Sequence, residues 1–224
     1  MNIRNLIFCA FPLAMLVACG GGDDAQPLRN SGPKITVNIT LANLPVTLPI
    51  NQEATPVFRN EYLWSVEFDV NKDEISNSGD MYLRLIHHKR PEAVAADGVL
   101  TEFQAEVIQI TSDATDELPA TANQIADASV EVQGNTLSLT VYKNRHAALD
   151  TIDNSVLVQF NTLAYATGGQ HPYYRDAFPF VNGKLAYASI PEDGKFMDTD
   201  IGMSEAYGID LQYIDMQSME VKID

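Results

Sequence analysis

The sequence predicts an all-β protein, an antiparallel β-sandwich of the jelly-roll type with at most one or two short helical turns. Segments in which apolar and polar residues alternate recur along the chain, and turn residues separate them. Amphipathic helical periodicity is almost absent, and the short helical turns are predicted at 145–152 and 120–126. Because alternation is typical of half-buried strands, many short strands without long helices favour a sandwich.

The alternating segments give the predicted strands. In chain order they are KITVNITL, YLWSVEFDV, MYLRLIHH, TEFQAEVIQI, SVEVQ, TLSLTV, SVLVQFNT, GKLAYAS, YGIDLQYID and MEVKI. In YLWSVEFDV, Trp64 and Phe68 point to one face of the strand, while Glu67 and Asp69 point to the other. The phase of TEFQAEVIQI shifts at Val107–Ile108, as it does at a β-bulge.

One hairpin can be tested against its own residues. Gly134 and Asn135 suit the positive φ angles of a two-residue turn. Pairing outward from this turn brings apolar residues together: Val132 with Leu137, Val130 with Leu139, and Ala128 with Val141. Glu131 then meets Ser138 on the other face. The register and the apolar pattern agree, so the sequence predicts this hairpin and its register.

The N-terminus has the layout of a secretory signal. Arg4 precedes an apolar stretch that is too short to span a membrane and ends in Leu-Val-Ala-Cys19. This ending resembles the lipobox of bacterial lipoproteins, which implies that residues 1–18 are removed and that Cys19 is acylated. Gly20 follows the cysteine where Asp would favour inner-membrane retention in that family, so the resemblance implies an outer-membrane lipoprotein. The alternative is an ordinary signal peptide with a chance cysteine.

The remaining chain divides into a tether and one domain. Residues 19–33 are rich in Gly, Asp and Pro and predict a flexible tether, and 34–224 is long enough for one domain with a core. Cys9 leaves with the signal and Cys19 carries lipid, so the domain has no thiol for disulfides or catalysis. Lys and Arg number 14 against 30 Asp and Glu, a net charge of −16. This acidity disfavours nucleic acid as a partner.

An acidic segment predicts a possible calcium site. Asp69, Asn71, Asp73 and Asp80 occupy the first, third, fifth and twelfth places of a calcium-loop spacing. Glu74 replaces the glycine at the sixth place and a strand precedes the loop, so an EF-hand is excluded. A structural calcium ion at one end of a sandwich remains an open alternative. A second acidic loop, which holds Asp193, Asp198 and Asp200, would supply further ligands. The alternative is a solvated turn, because Asp and Asn tolerate turn geometry.

The aromatic loop GGQHPYYRDAFPF is the predicted recognition site. His171, Tyr173, Tyr174 and Arg175 combine aromatic faces with polar groups, which suits a sugar ring or a protein partner. The alternative is that the aromatic residues close one end of the sandwich. Separately, the strand with Trp64 and Phe68, the acidic turn from Asp69 to Asp80 and the GNTLSLTV hairpin resemble parts of DOMON and family-nine carbohydrate-binding modules, which bind ligands on a sheet face or at a loop end.

The sequence favours binding over catalysis. No Gly-x-Ser-x-Gly elbow, glycine-rich phosphate loop or zinc-binding histidine spacing is present. The favoured function is therefore a non-catalytic, lipid-anchored binding module, with carbohydrate as the favoured ligand and calcium in a structural role. An envelope protein that binds or assembles other proteins is the alternative, and a hydrolase with two carboxylates from distant strands is the third.

Overall fold

The computed structural model describes residues 30–44, 60–89, 101–113, 120–166, 172–181, 184–198 and 214–224. These residues form strands joined by turns and two short 3-10 helices, Lys143–Arg145 and Ala147–Thr151. The strands are β1 (Lys34–Leu41), β2 (Asn60–Asp69), β3 (Met81–Lys89), β4 (Thr101–Ser112), β5 (Thr121–Asp127), β6 (Ser129–Gln133), β7 (Thr136–Tyr142), β8 (Leu157–Ala166), β9 (Pro172–Phe178), β10 (Phe180–Val181), β11 (Lys184–Leu185), β12 (Ala188–Ser189), β13 (Lys195–Met197) and β14 (Met216–Ile223).

Two antiparallel sheets pack face to face, which confirms the predicted all-β sandwich. Sheet A has the order β13-β14-β1-β7-β6. Sheet B has the order β12-β8-β2-β3-β4-β5, and β9 pairs with β8 beside this path. The short strands β10 and β11 pair with each other. Every strand pairing among the described residues is antiparallel.

The core lies between the sheets and comes from the alternating apolar positions. In β1 every second residue is buried, from Ile35 to Leu41. Strand β2 contributes Tyr62, Trp64, Val66 and Phe68, each at most 1% exposed. Because the alternation places these side chains on one face, the two inner faces interdigitate and exclude water. Tyr62 and Trp64 stack with their ring centroids 5.7 Å apart.

The β6–β7 hairpin forms in the predicted register over its inner part. The pairs Val132–Leu137, Val130–Leu139 and Glu131–Ser138 are all present. The outermost predicted pair, Ala128 with Val141, is absent because β6 begins at Ser129. The backbone N–H of Ala128 donates instead to the carbonyl of Ala105 in sheet B, 3.0 Å away. The chain crosses between the sheets at this point.

Strand β4 shows the predicted bulge, and one helical prediction is wrong. The β4–β5 register shifts between Val107 and Ile108. The helical turn predicted at 145–152 corresponds to the two 3-10 helices. The turn predicted at 120–126 is instead the edge strand β5, because pairing with β4 overrides weak local helix preference.

Two predicted strands differ in extent from the structure. GKLAYAS forms the two short strands β11 and β12 rather than one continuous strand. YGIDLQYID lies largely outside the described residues. Within the described part of the chain, no helix is long and apolar enough to cross a membrane.

Candidate ligand-binding face

The outer face of sheet B carries a row of polar and aromatic side chains on three strands and on the residue before a fourth. Gln159 of β8 pairs with Glu67 of β2, and Glu67 pairs with Tyr82 of β3. Tyr187 directly precedes β12, whose Ala188 pairs with Val158, so Tyr187 lies beside Gln159 at the end of this row. We call Tyr187, Gln159, Glu67 and Tyr82 the carboxyl row.

Glu67 is buried although it points away from the core. Glu67 is 2% exposed, and its neighbours on the same face of β2, Ser65 and Asp69, are 3% and 0% exposed. The segment before β12 covers part of this face, because Gln159 Nε2 donates a hydrogen bond to the Ala186 carbonyl at 2.9 Å. From Trp64 to Asp69, strand β2 is therefore buried on both faces.

The surroundings of Glu67 disfavour its charge. Burial raises the pKa of the carboxyl, the hydroxyls of Ser76, Tyr82 and Tyr187 lower it, and the charge of Asp80 raises it again. The net direction is upward. Oε1 is buried and has no hydrogen-bond partner. A buried acceptor without a donor is costly, which sets this atom apart from the other acceptors of the row.

The two tyrosines flank this carboxyl. The Tyr82 hydroxyl hydrogen-bonds to the Ser76 hydroxyl at 2.7 Å. Burial and the charge of Glu67 raise the pKa of both Tyr82 and Tyr187, so both phenols are protonated at neutral pH. Protonated phenols can donate as well as accept hydrogen bonds. The row thus combines one unpartnered carboxyl oxygen, two phenols and an amide, and the Ser76 hydroxyl lies beside it.

A second polar row runs beside the first on the same face. Asn161 of β8 pairs with Ser65, which pairs with Arg84. Arg84 Nε donates to Glu106 Oε1 at 2.8 Å, forming a largely buried ion pair. At the other end, Arg175 of β9 donates two hydrogen bonds to Asn161 Oδ1. Unlike the carboxyl row, this second row has partners for its charged groups.

The outer face of sheet A has a different character. Its small polar side chains bond to each other across strands, as between Thr40 and Thr136 at 2.9 Å and from Asn38 to Glu220 at 2.7 Å. Such pairs leave no buried polar atom without a partner among the described residues of this face. The candidate site therefore lies on sheet B.

The acidic loop between β2 and β3 is organised by its own backbone. Asp69 accepts hydrogen bonds from the N–H groups of Lys72 and Glu74, at 2.6 and 2.8 Å. Asp80 accepts from those of Val70 and Asn77, at 3.0 and 2.9 Å. Lys72 and Glu74 both have positive φ, near 60°. The two buried aspartates thus hold the turn by accepting four backbone donors.

The exposed members of the predicted calcium set join the same network. Asn71 Oδ1 accepts from the Asp73 N–H at 3.2 Å, and Asp73 Oδ2 accepts from Asn77 Nδ2 at 2.6 Å. The pKa of Asp80 is raised to about 6, because burial and the charges of Asp69 and Asp73 outweigh the backbone donors, which lower it. The loop contains all four predicted ligands, and each of them already accepts a hydrogen bond.

The second acidic loop follows a different pattern. Asp193 accepts from the Lys195 N–H at 3.1 Å and is exposed. Asp198 lies near Asp176, whose pKa its charge raises, and Asp200 lies outside the described residues. Across the described ranges, no group of three or more His, Cys, Asp or Glu is arranged to hold a metal ion. Calcium therefore stays a prediction.

The predicted recognition residues are only partly described. Arg175 is exposed in β9 and bonds to Asn161, so it borders the candidate face. Tyr173 and Tyr174 belong to β9, and Tyr174 pairs with Ala164, but the structure describes only the backbone of these two residues. His171 lies outside the described residues, as does Cys19 with the whole N-terminal signal.

Sequence reasoning missed the carboxyl row. Alternation placed Glu67 on the polar side of β2, and nothing local indicated that this side is covered. A signal was present elsewhere in the chain, since Tyr82 is an aromatic residue at an outward position of β3 and Tyr187 is an aromatic residue directly before β12. Only the register that places them beside Glu67 turns these separate residues into a site.

Comparison of the chain with protein-family profiles, with curated proteins and with solved structures gave no match. The resemblances to bacterial lipoproteins and to DOMON-type modules therefore stay hypotheses. The structure by itself defines the class, an antiparallel β-sandwich with one chemically distinctive sheet face.

Proposed function

We propose that this protein is a lipid-anchored, non-catalytic binding module that binds carbohydrate on the outer face of sheet B. The observation that carries the proposal is the carboxyl row, in which Tyr82 and Tyr187 flank a buried carboxyl with an unpartnered oxygen. Aromatic rings beside polar acceptors and donors suit a polyhydroxylated ring, whose hydroxyls donate and accept while its C–H faces pack on the rings.

The second polar row extends this face. Arg175 and Asn161 lie along β9 and β8, and the arginine keeps part of its surface exposed. A guanidinium offers several donors in a fixed geometry, which suits neighbouring hydroxyls or a carboxylate of an extended glycan. Arg175 was part of the recognition loop proposed from sequence, so it links that loop with the sheet face.

A glycan-binding experiment tests this proposal. The full-length protein is applied to a glycan array, and the strongest hit is measured by titration with Tyr187→Ala and Arg175→Ala. Both variants should weaken binding about tenfold or more, because each removes contacts at the face. Tyr142→Ala is the matched control, since Tyr142 ends β7 on the outer side of sheet A. Melting temperatures show whether each variant is folded.

Two outcomes would count against the proposal. Binding that is unchanged in both face variants would place the ligand elsewhere on the molecule. The absence of any bound glycan, together with a protein partner recovered by crosslinking from the cell envelope, would favour the alternative role in protein assembly.

The membrane anchor is part of the proposal and rests on the sequence. Acylation of Cys19 would hold the domain near the outer membrane through its lipid, whereas anionic headgroups would repel the acidic surface of the domain. Replacing Cys19 with Ala should release the protein into the soluble fraction of the envelope and abolish labelling by a fatty-acid analogue. Retention of Cys19→Ala in the membrane fraction would refute the anchor.

A further inference from the structure

The segment directly before β1 is fastened to the domain. Each residue of the first 3-10 helix donates a hydrogen bond to this segment. The three bonds run from the Lys143 N–H to the Pro33 carbonyl at 2.9 Å, from Asn144 Nδ2 to the Ser31 carbonyl at 3.1 Å, and from Arg145 Nη2 to Asn30 Oδ1. The predicted tether therefore joins the domain at a fixed place, beside this helix.

The helix lies at the end of the sandwich where the acidic loop is found. In sheet A it directly follows β7, whose last residue pairs with the first residue of β1. Lys143 lies close enough to Asp153, shortly before β8, for its charge to act on that carboxylate. Strand β8 begins at Leu157, which pairs with Asp69, the last residue of β2. We call this end of the sandwich the tether end.

The opposite end carries the β6–β7 turn and is nearer to Arg175. Gln133 ends β6 and pairs with Thr136, which pairs with Thr40, six residues after the start of β1. Arg175 pairs with Leu163, six residues after the start of β8. Six residues of strand span about 20 Å. Both features therefore lie about 20 Å from the tether end of their own sheet, and we call their side of the sandwich the far end.

The length of the tether limits how the anchored domain can turn. Asn30 is the eleventh residue after Cys19. A flexible chain of this length spans about 18 Å on average and about 40 Å at full extension. A strand of ten residues, such as β2, is about 33 Å long. Turning the far end towards the membrane would stretch the tether along the whole sandwich, close to full extension, which costs conformational entropy.

We infer that the tether end of the sandwich faces the lipid surface and that the far end points away from it. The partner of the tether end is then the membrane, and the Arg175 side of the candidate face is turned towards the space in which an extended glycan has room to bind. This inference rests on the proposed lipid anchor and adds an orientation to it.

Energy transfer from single labels to the membrane tests this orientation. The full-length, acylated protein is inserted into phosphatidylcholine vesicles whose headgroups carry an acceptor dye. Acylation occupies Cys19, so an introduced cysteine can carry the donor dye, in Asn154→Cys at the tether end or in Gln133→Cys at the far end. Both positions are exposed. Transfer from the tether end should be about twofold higher or more, because that label is about 20 Å closer to the lipid.

A lengthened tether is the control for the cause of the orientation. An insertion of about 40 Gly and Ser residues after Gly22 raises the average span of the tether to about 40 Å, which exceeds the length of the sandwich. The difference in transfer between the two positions should then largely disappear. Because phosphatidylcholine carries no net charge, attraction or repulsion by the vesicle surface does not contribute. Melting temperatures show that each labelled variant is folded.

The outcomes separate the orientation from the anchor. Equal transfer from both positions with the natural tether overturns the orientation and leaves the anchor in place. A difference that persists with the lengthened tether overturns the tether as its cause and means that the tether end binds lipid by itself. Protein that does not attach to the vesicles overturns the anchor and the orientation together, and the glycan-binding experiment still decides the binding function.

Discussion

Two glycines with positive φ illustrate how differently single residues constrain this sandwich. Gly134 in the β6–β7 turn has φ of 61°, and Gly194 before β13 has φ of 70°. A Cβ built on Gly134 meets nothing within 4 Å, whereas one built on Gly194 lies 2.2 Å from the carbonyl oxygen of Val221. The Gly194 carbonyl also accepts a hydrogen bond from the Val221 N–H at 2.9 Å, so this close approach is part of the β13–β14 pairing.

Replacing Gly194 with Ala should destabilise the protein far more than replacing Gly134. The left-handed backbone costs a non-glycine residue about 1–2 kcal/mol at either position. At Gly194 the overlap with Val221 adds to this cost, and we expect a total loss of about 3 kcal/mol or more in the free energy of unfolding. Urea denaturation of both variants measures the difference. Equal losses would mean that β14 shifts at little cost.

Only one of these glycines could be assigned from sequence. The Gly134–Asn135 pair is a local turn signal between two alternating strands, so the turn and its register follow from neighbouring residues. The need for Gly194 comes from Val221, which is far away in the chain. A close approach between residues that are distant in the chain leaves no pattern in the local sequence.

At the scale of elements, the loop between β2 and β3 shows a network that spacing alone did not reveal. The sequence correctly placed Asp69 and Asp80 at the junctions of the loop with its strands. The sequence did not indicate that backbone N–H groups donate to the carboxyl oxygens of these aspartates. Lys and Glu, the residue types at positions 72 and 74, do not signal a positive φ. The same limitation hid the carboxyl row, whose burial depends on segments distant in the chain.

The calcium prediction can be tested while the buried part of this network is kept. Asp73 is the exposed aspartate of the predicted ligand set, so Asp73→Ala removes a ligand and leaves the buried Asp69 and Asp80 in place. Millimolar calcium should raise the melting temperature of the wild-type protein relative to chelator, because an ion that binds only the folded state stabilises it. The rise should disappear in Asp73→Ala and persist in Asp150→Ala, a change at an exposed aspartate of the second 3-10 helix.

A melting temperature that is the same in calcium and in chelator would contradict the prediction that this protein binds calcium. The loop would then be held by its hydrogen bonds alone. A rise that persists in Asp73→Ala would place the ion at another group of carboxylates.

At the scale of the whole molecule, alternation predicted the sandwich, but not the hydrogen bonds that join one sheet to the other. Asp176 of β9 in sheet B accepts a hydrogen bond from the N–H of Met216 in β14 of sheet A, 2.7 Å away. Next to it, the Thr162 hydroxyl donates to the carbonyl of Ile214. Asp176 is 8% exposed. These bonds join residues distant in the sequence, so no local pattern could have indicated them.

This contact makes the stability of the sandwich depend on pH. The pKa of Asp176 is raised to about 7, because burial and the nearby charges of Asp198 and Asp215 outweigh the N–H groups of Met216 and Ala177, which lower it. An unfolded aspartate has a pKa of about 3.9. Between about pH 4 and pH 7 the folded state therefore binds more protons than the unfolded state, and the free energy of unfolding falls as the pH rises.

Replacing Asp176 with Asn isolates this contribution from the other carboxylates. The amide oxygen can still accept the Met216 N–H, and no charge is buried at any pH, so the variant should be more stable than the wild type at pH 8 by roughly 2 kcal/mol or more. At pH 4 the two proteins should differ little, since the wild-type carboxyl is then protonated. Thermal unfolding across this pH range measures the difference, and Asp150→Asn controls for the loss of one charge from an acidic protein. If Asp176→Asn is instead less stable at pH 8 than at pH 4 relative to the wild type, the carboxylate form holds the sheets together and the direction of the pKa shift is reversed.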